Sequence, residues 1–380
     1  VNAKAAAFLP ALALVAVAAV AIVFWTATPQ WKTDSLFYEA HVYQVEGDSH
    51  AVAYHKVFAG PLSLIRRREF ASKPLAQRNV GNPAWVRFSE RFYERRWFVP
   101  AVAAAIAPFR GVDALRIASL IAYLLLGPCL YALLRLRAGR TVSFVIAAGA
   151  LVLAPLIFNA GQPLTDTWGM VLEAVAATAA LVSLERGRAW LLLWIAALVA
   201  LSLTRDTTVV VVLPAVWLAL RERTRAAVEL AATGVVAALP APLFLGAPLR
   251  IAMAYTFSGF NPPAHSSWSW VLGQYWPNLH SMISANLTYL QGHPLTAVFL
   301  VGGYLAPFLV RARGDRFVRF VRVAAVVSIL LDALQPNYTE FRLELMFVPI
   351  AAAGLAIAAT TGAWHRSWPF RPNASAPSSG

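Results

Sequence analysis

The stretch Trp31-Lys32-Thr33-Asp34-Ser35-Leu36-Phe37-Tyr38-Glu39-Ala40-His41 sets two carboxylates, a phenol and an imidazole side by side, directly after a long apolar run. A carboxylate at the lip of a bilayer costs free energy unless water, a cation or a substrate satisfies it. Such a group is suited to taking the proton from a hydroxyl as that hydroxyl attacks an electrophilic carbon. Asp34 follows the apolar run most closely and is the candidate base. Glu39 is the second catalytic candidate, and His41 a candidate substrate contact. If the group displaced from that carbon is a phosphate, its charge calls for arginine, lysine or histidine donors, or a metal.

Candidates for that substrate-binding role are spread along the chain. Arg91, Arg95 and Arg96 lie in the aromatic-rich segment 85–97. Asp166 sits in Gln162-Pro163-Leu164-Thr165-Asp166-Thr167-Trp168, and Arg205 in Leu203-Thr204-Arg205-Asp206. His265 and Arg342 come later. Plainer roles stand beside these. Asp34 and Asp166 both fit helix N-caps, and Arg205-Asp206 fits a solvated turn. Glu173 shares a helix face with Asp166 and fits a neutral residue inside a bundle. The Arg66-Arg67-Arg68 run fits a solvated or headgroup-binding face. The histidines lack metal-ligand spacing such as H-E-x-x-H, and no phosphate-binding loop or dinucleotide fingerprint is present. No cofactor is expected; a divalent metal is possible chemistry but is not indicated.

The elements that must position these residues follow from composition. Of 380 residues, 59% are hydrophobic and 13% charged, with a mean hydropathy of +0.60. Soluble domains carry about 25% charged and 45–50% apolar residues. Apolar runs at 5–25, 112–134, 141–159, 167–184, 189–203, 207–220, 226–246, 294–310, 320–334 and 345–362 approach the roughly 20 residues that cross a bilayer. The expectation is an all-α polytopic membrane protein of about ten transmembrane helices, forming one membrane domain. The first run is longer than a signal-peptide core and reads as an uncleaved anchor. Cys129 is the single cysteine, so no disulfide framework exists. The net charge of +14 is explained by basic cytoplasmic loops rather than nucleic acid.

With the N-terminus inside, the inner turns hold Arg135, Arg137 and Arg140, then Arg186 and Arg188, then Arg221, Arg223 and Arg225. The 311–322 and 366–371 arginines follow on the same side, whereas Arg205, Arg250 and Arg342 fall outside. Residues 27–111 form a long first outer loop. In it, 34–45 reads as an amphipathic helix lying on the bilayer, and 85–97 as an aromatic and basic segment at headgroup depth. Residues 98–109 are too short to span and read as a surface or re-entrant helix. Residues 247–293 form a second, aromatic outer loop, and 366–380 a disordered tail. The candidate acids and bases then gather on the outer face.

This layout resembles the clan C (GT-C) integral-membrane glycosyltransferases. The likeness rests on Thr33-Asp34-Ser35-Leu36-Phe37-Tyr38, Arg95-Arg96-Trp97-Phe98-Val99-Pro100, Leu164-Thr165-Asp166, Leu203-Thr204-Arg205-Asp206 and Glu340-Phe341-Arg342 followed by Pro349. The resemblance implies a polyprenyl-phosphate sugar donor, a lipid or cell-envelope glycan acceptor, and an outward-facing cavity. Many members pair two acids in the first loop; here that pairing is Asp34 with Glu39. Alanine- and arginine-rich usage points to a bacterial plasma membrane. Two other functions remain open at this point: a flippase for a lipid-linked saccharide, and a non-catalytic subunit of envelope assembly.

Overall fold

The computed structural model describes residues 3–24, 32–60, 79–106, 108–109, 111–245, 247–311, 314–334, 336 and 346–366, and every regular element within them is a helix. A helix coincides with each apolar run. The order begins α1 (Ala3–Phe24), α2 (Thr33–Val45), α3 (His50–Tyr54), α4 (Pro83–Glu90) and α5 (Phe98–Ala104). Then come α6 (Gly111–Leu134), α7 (Arg140–Leu151), α8 (Ala154–Ala160), α9 (Asp166–Arg186), α10 (Arg188–Ser202), α11 (Thr208–Glu222) and α12 (Arg225–Ala238). The chain continues through α13 (Pro240–Phe244), α14 (Leu249–Phe257), α15 (Trp268–Gly292), α16 (Pro294–Leu309), α17 (Arg316–Leu334) and α18 (Val348–Arg366).

Three helical stretches are long and apolar enough to cross a membrane: Gly111–Leu134, Asp166–Glu185 and Arg225–Leu243. Helices α7 and α8, bent by 66° at their junction, make a fourth if they count as one span. Others are shorter. Helices α10 and α11 have 15 residues each, about 22 Å of rise against a hydrocarbon core of about 30 Å.

Helix α9 is the centre of the bundle, packed against α6 and α10. Its apolar window is 78% buried, against 50% for α6 and 39% for the Arg225–Leu243 window. Trp194 of α10 is fully buried, and its indole N–H donates to the Leu230 carbonyl of α12 at 3.2 Å. Helices α16 and α18 touch backbone to backbone. A Cβ on Gly303 would land on the Ala351 backbone, and one on Gly354 on that of Gly303, so only hydrogen fits at either position.

Short polar signals start the loop helices. Ser49 accepts from the Val52 N–H at the head of α3, which runs on into one π turn, His55–Ala59. Asn82 accepts from the Ala84 and Trp85 N–H groups, with Pro83 in the first turn of α4.

Two expectations for the first loop are corrected. Residues 34–45 do form a helix, but Ser35 through Val42 of α2 are all buried, so it is enclosed rather than laid on a surface. It packs against α3, α5 and α6. The segment 85–97 is likewise drawn inward, with Trp85 and Tyr93 only 2% and 8% exposed. Residues 98–109 contain the seven-residue α5, which buries Val99, Pro100 and Ala103. The second loop is largely helical, and α15 alone has 25 residues. It exposes Trp268, Leu272, Trp276, Ile283 and Leu287. The Arg66–Arg68 run, the Glu340-Phe341-Arg342 turn and residues 367–380 lie outside the described residues.

Candidate functional site

Four helix ends and one loop converge near Asp34. The first turn of α2 supplies Asp34. The loop between α4 and α5 supplies Tyr93, Arg95 and Arg96. Thr165 and Asp166 come from the head of α9, and Arg205 and Asp206 from the α10–α11 turn. Three main-chain attachments hold these pieces in register. The Phe98 N–H donates to the Leu203 carbonyl at 3.2 Å, tying the loop to the end of α10. The Ser119 hydroxyl donates to the Leu164 carbonyl at 2.7 Å, and the Trp168 indole N–H to the Ala118 carbonyl at 2.9 Å, fixing the head of α9 on α6.

Tyr38, one helical turn beyond Asp34, is the node. Its hydroxyl accepts from Arg96 Nη1 at 2.6 Å and from Thr165 Oγ1 at 3.4 Å. Tyr93 donates its hydroxyl to Asp34 Oδ1 at 2.7 Å. Burial first, and then the Asp34 charge, hold the Tyr93 phenol far above its ordinary pKa, so it stays a donor. Phe37 stacks on the Tyr93 ring at 4.4 Å and 5°, and the Arg96 guanidinium lies 5.2 Å from the same ring. Aromatic faces therefore fix the geometry around the carboxylate.

Arg205 is buried, Arg95 and Arg96 are half-buried, and the three are crowded. Arg205 pairs with Asp166 Oδ1 at side-chain exposures of 5% and 2%, and its stem lies over Gly169. Arg95 pairs with Asp206. Burial, then repulsion from Arg96 and Arg205, lowers the Arg95 pKa to about 10. For Arg96 burial opposes the charge, but Tyr38, Tyr93 and Asp34 outweigh it and raise its pKa. Among the described residues, the Nε atoms of Arg95, Arg96 and Arg205 have no hydrogen-bond partner, nor do Asp166 Oδ2, Gln162 Oε1, Thr207 Oγ1 and Ser35 Oγ. Each buried polar atom left unpaired costs about 1–3 kcal/mol. Native interiors keep such atoms few, so a cluster of them asks for water or a polar ligand. Three guanidinium groups meet three carboxylates here, with Arg205 paired to Asp166, Arg95 to Asp206, and the Asp34 charge beside Arg96.

Of the residues singled out in the sequence, Asp34, Arg95, Arg96, Asp166 and Arg205 come together. His41 lies farther along α2, stacked on Trp97 at 4.2 Å. Burial, the larger effect, lowers its pKa to about 4 against a hydrogen bond with the Arg96 backbone that favours the charge. Glu39 faces a different neighbour. Gly111 has φ 53°, and a Cβ there would fall 3.2 Å from Glu39 Oε1 and 2.6 Å from the Tyr43 hydroxyl. The Glu39 carboxylate thus lies at the positive N-terminal end of α6, where it stabilises that helix. Arg91 is exposed beside Phe88, and His265 is exposed near Trp270, both apart from the cluster. Arg342 lies outside the described residues. Glu173 is fully buried in α9 with neither carboxylate oxygen bonded, two turns below Asp166.

Tyr38 and Tyr93 are the functional candidates that the sequence reading did not assign. Tyr38 stands one turn from Asp34, which is a usable signal. Tyr93 was hidden by an aromatic composition equally suited to a membrane interface. Among the described residues, no group of three or more His, Cys, Asp or Glu side chains is placed to hold a metal. No family model matches this chain, and no curated protein matches it either.

Proposed function

We propose that this chain is a membrane glycosyltransferase of the GT-C type. It moves a sugar from a polyprenyl-phosphate donor to a lipid or cell-envelope glycan acceptor. The observation that carries this reading is Asp34, held by Tyr93, in a cluster with the half-buried Arg95 and Arg96 and the buried Arg205. Asp34 takes the proton of the acceptor hydroxyl as its oxygen bonds to the anomeric carbon. The bond from that carbon to the phosphate oxygen breaks, and the lipid phosphate departs with the electron pair. The guanidinium groups neutralise the charge that develops on it. One carboxylate suffices for such an inverting displacement.

In this reading the ten apolar runs cross the bacterial plasma membrane with the N-terminus inside. The cluster then faces outward, where lipid-linked sugars meet envelope acceptors. Helix α14 adds a cover: Tyr255 stacks on Phe92 at 4.5 Å and hydrogen-bonds Ser89 at 2.9 Å.

The test is transfer by purified protein from a synthetic polyprenyl-phosphate sugar. Asp34→Asn should keep donor binding and lose at least about 100-fold in turnover. Full turnover in that variant would remove Asp34 as the base. Absence of any transfer by the native chain would point to a carrier of lipid-linked saccharide or a non-catalytic assembly subunit.

A further inference from the structure

One face of α9 carries two acids with a gap between them. Asp166, Gly169 and Glu173 share that face, because residues three, four and seven apart align on a helix. The two acids are separated by about 10 Å of rise. Arg205 reaches the same face from the α10–α11 turn. A Cβ on Gly169 would stand 3.9 Å from the Arg205 Cβ and 3.4 Å from its Cγ, so the arginine stem crosses α9 where the helix carries no side chain. From there the guanidinium turns to Asp166 Oδ1, leaving its own Nε and Asp166 Oδ2 unpaired. Glu173 lies about 6 Å from Gly169 in the other direction. Helix Cα–Cβ bonds tilt toward the N-terminus, so the Glu173 side chain sets out toward that gap.

Glu173 is fully buried, and neither of its carboxylate oxygens has a partner. Among the described residues, no charged group of α6, α10, α11, α12 or α18, the helices packed on α9, acts on it. An isolated ion there is so costly that the group keeps its proton instead. Asp166 and Glu173 therefore hold one guanidinium and one proton between them. Asp166 can be the ion on Arg205 with Glu173 neutral, or the roles can be reversed. Both arrangements bury one ion pair and one neutral acid, so neither carries the penalty of an unpaired buried charge.

We propose that Glu173 is a proton-binding site and the second seat of Arg205, exchanged with Asp166 across the Gly169 gap. In the exchange the Glu173 O–H bond breaks and its electron pair stays on the carboxylate. Buried water relays the proton to Asp166 Oδ2, and the guanidinium moves the opposite way onto Glu173. The charge of Arg205 bears on Arg95 in the first arrangement and is drawn away from it in the second. The position of one proton thus sets how much positive charge stands beside Asp34, whatever reaction the cluster performs.

Infrared spectroscopy and thermal melting of the full chain in phosphatidylcholine nanodiscs test this without any substrate. At neutral pH the native chain should show a protonated-carboxyl band that is lost in Glu173→Gln, which matches the neutral acid in shape and should melt as the native chain does. Asp166→Asn forces the exchange. Arg205 should then seat on Glu173, the Glu173 band should vanish, and the melting temperature should fall only slightly. The double variant Asp166→Asn/Glu173→Gln leaves Arg205 without a carboxylate, and its melting temperature should fall by more than the two single losses added together. A spectrum unchanged by Glu173→Gln would mean that Glu173 holds no proton, and would overturn the proposal. So would an Asp166→Asn protein that keeps the Glu173 band or fails to fold, because Arg205 would then have no second seat. Additive losses in the double variant would count against it in the same way. None of these readouts involves sugar transfer, so they stand or fall separately from the transferase reading.

Discussion

The two ends of α11 carry ion pairs built on opposite principles. Beyond its C-terminal end, Glu222 accepts from Arg316 at 2.8–3.0 Å, and Arg137 meets Asp315 at 2.9 Å. Arg316 and Glu222 are 39% and 11% exposed, and Arg137 and Asp315 24% and 22%. Beyond its N-terminal end, about 22 Å away by helix rise, Arg205 and Asp166 are 5% and 2% exposed. Pairs that water can reach contribute little, about 0–1 kcal/mol. A buried pair carries a desolvation penalty that its own attraction offsets only with good geometry and further hydrogen bonds. The N-terminal end leaves several of those bonds unmade. The difference separates an end whose pairs water reaches from one whose Arg205–Asp166 pair is closed off from it.

Breaking one partner at each end tests this contrast most directly. Arg205→Ala should destabilise the protein by about 3–5 kcal/mol, because Asp166 is left charged and buried. Thermal melting in detergent reads the effect, and a shift no larger than that of a surface mutant would remove the distinction. A smaller effect comes from acid. His41 has its pKa lowered from 6.5 to about 4 in the folded chain, chiefly by burial and further by the nearby His50 and Arg96 charges. The unfolded chain binds that proton first. Stability is therefore complete above about pH 6.5 and falls as pH drops toward 4, by on the order of 3 kcal/mol. Melting curves across that window should steepen in the native chain and flatten in His41→Gln; parallel curves would refute the assignment. At the other end, Glu222→Ala should cost about 1 kcal/mol or less, less still in high salt. A loss as large as that of Arg205→Ala would show that both ends are equally strained.

Much of the helical layout was legible because long apolar runs leave the backbone few alternatives. A helix satisfies its own N–H and C=O groups, so composition alone places α1, α6, α9 and α16 to within a few residues. The fate of the segments between them was not legible. Thr33–Val45 and Trp268–Gly292 both mix aromatics with polar residues, yet the first is enclosed and the second exposes a row of large apolar side chains. Periodicity reports which residues share a face; it does not report whether another helix arrives to cover the remaining faces. The same limit hid Tyr93, whose ring could have stood at a lipid surface but stacks on Phe37. It also made Glu39 look like a partner for Asp34, although the helix turns it toward Gly111.

By itself the chain's order of residues determined a helical, lipid-compatible protein and marked Asp34, Arg95, Arg96, Asp166 and Arg205 among ten candidates for a site. Burial energy follows from residue type and local spacing, and both are written in one dimension. Only the tertiary structure decided that these five meet, with Tyr38 bridging Arg96 and Thr165, which lie 58 and 127 residues beyond it in the chain. Hydrogen bonds of that kind depend on helix ends brought together by packing, and no local pattern specifies such a meeting.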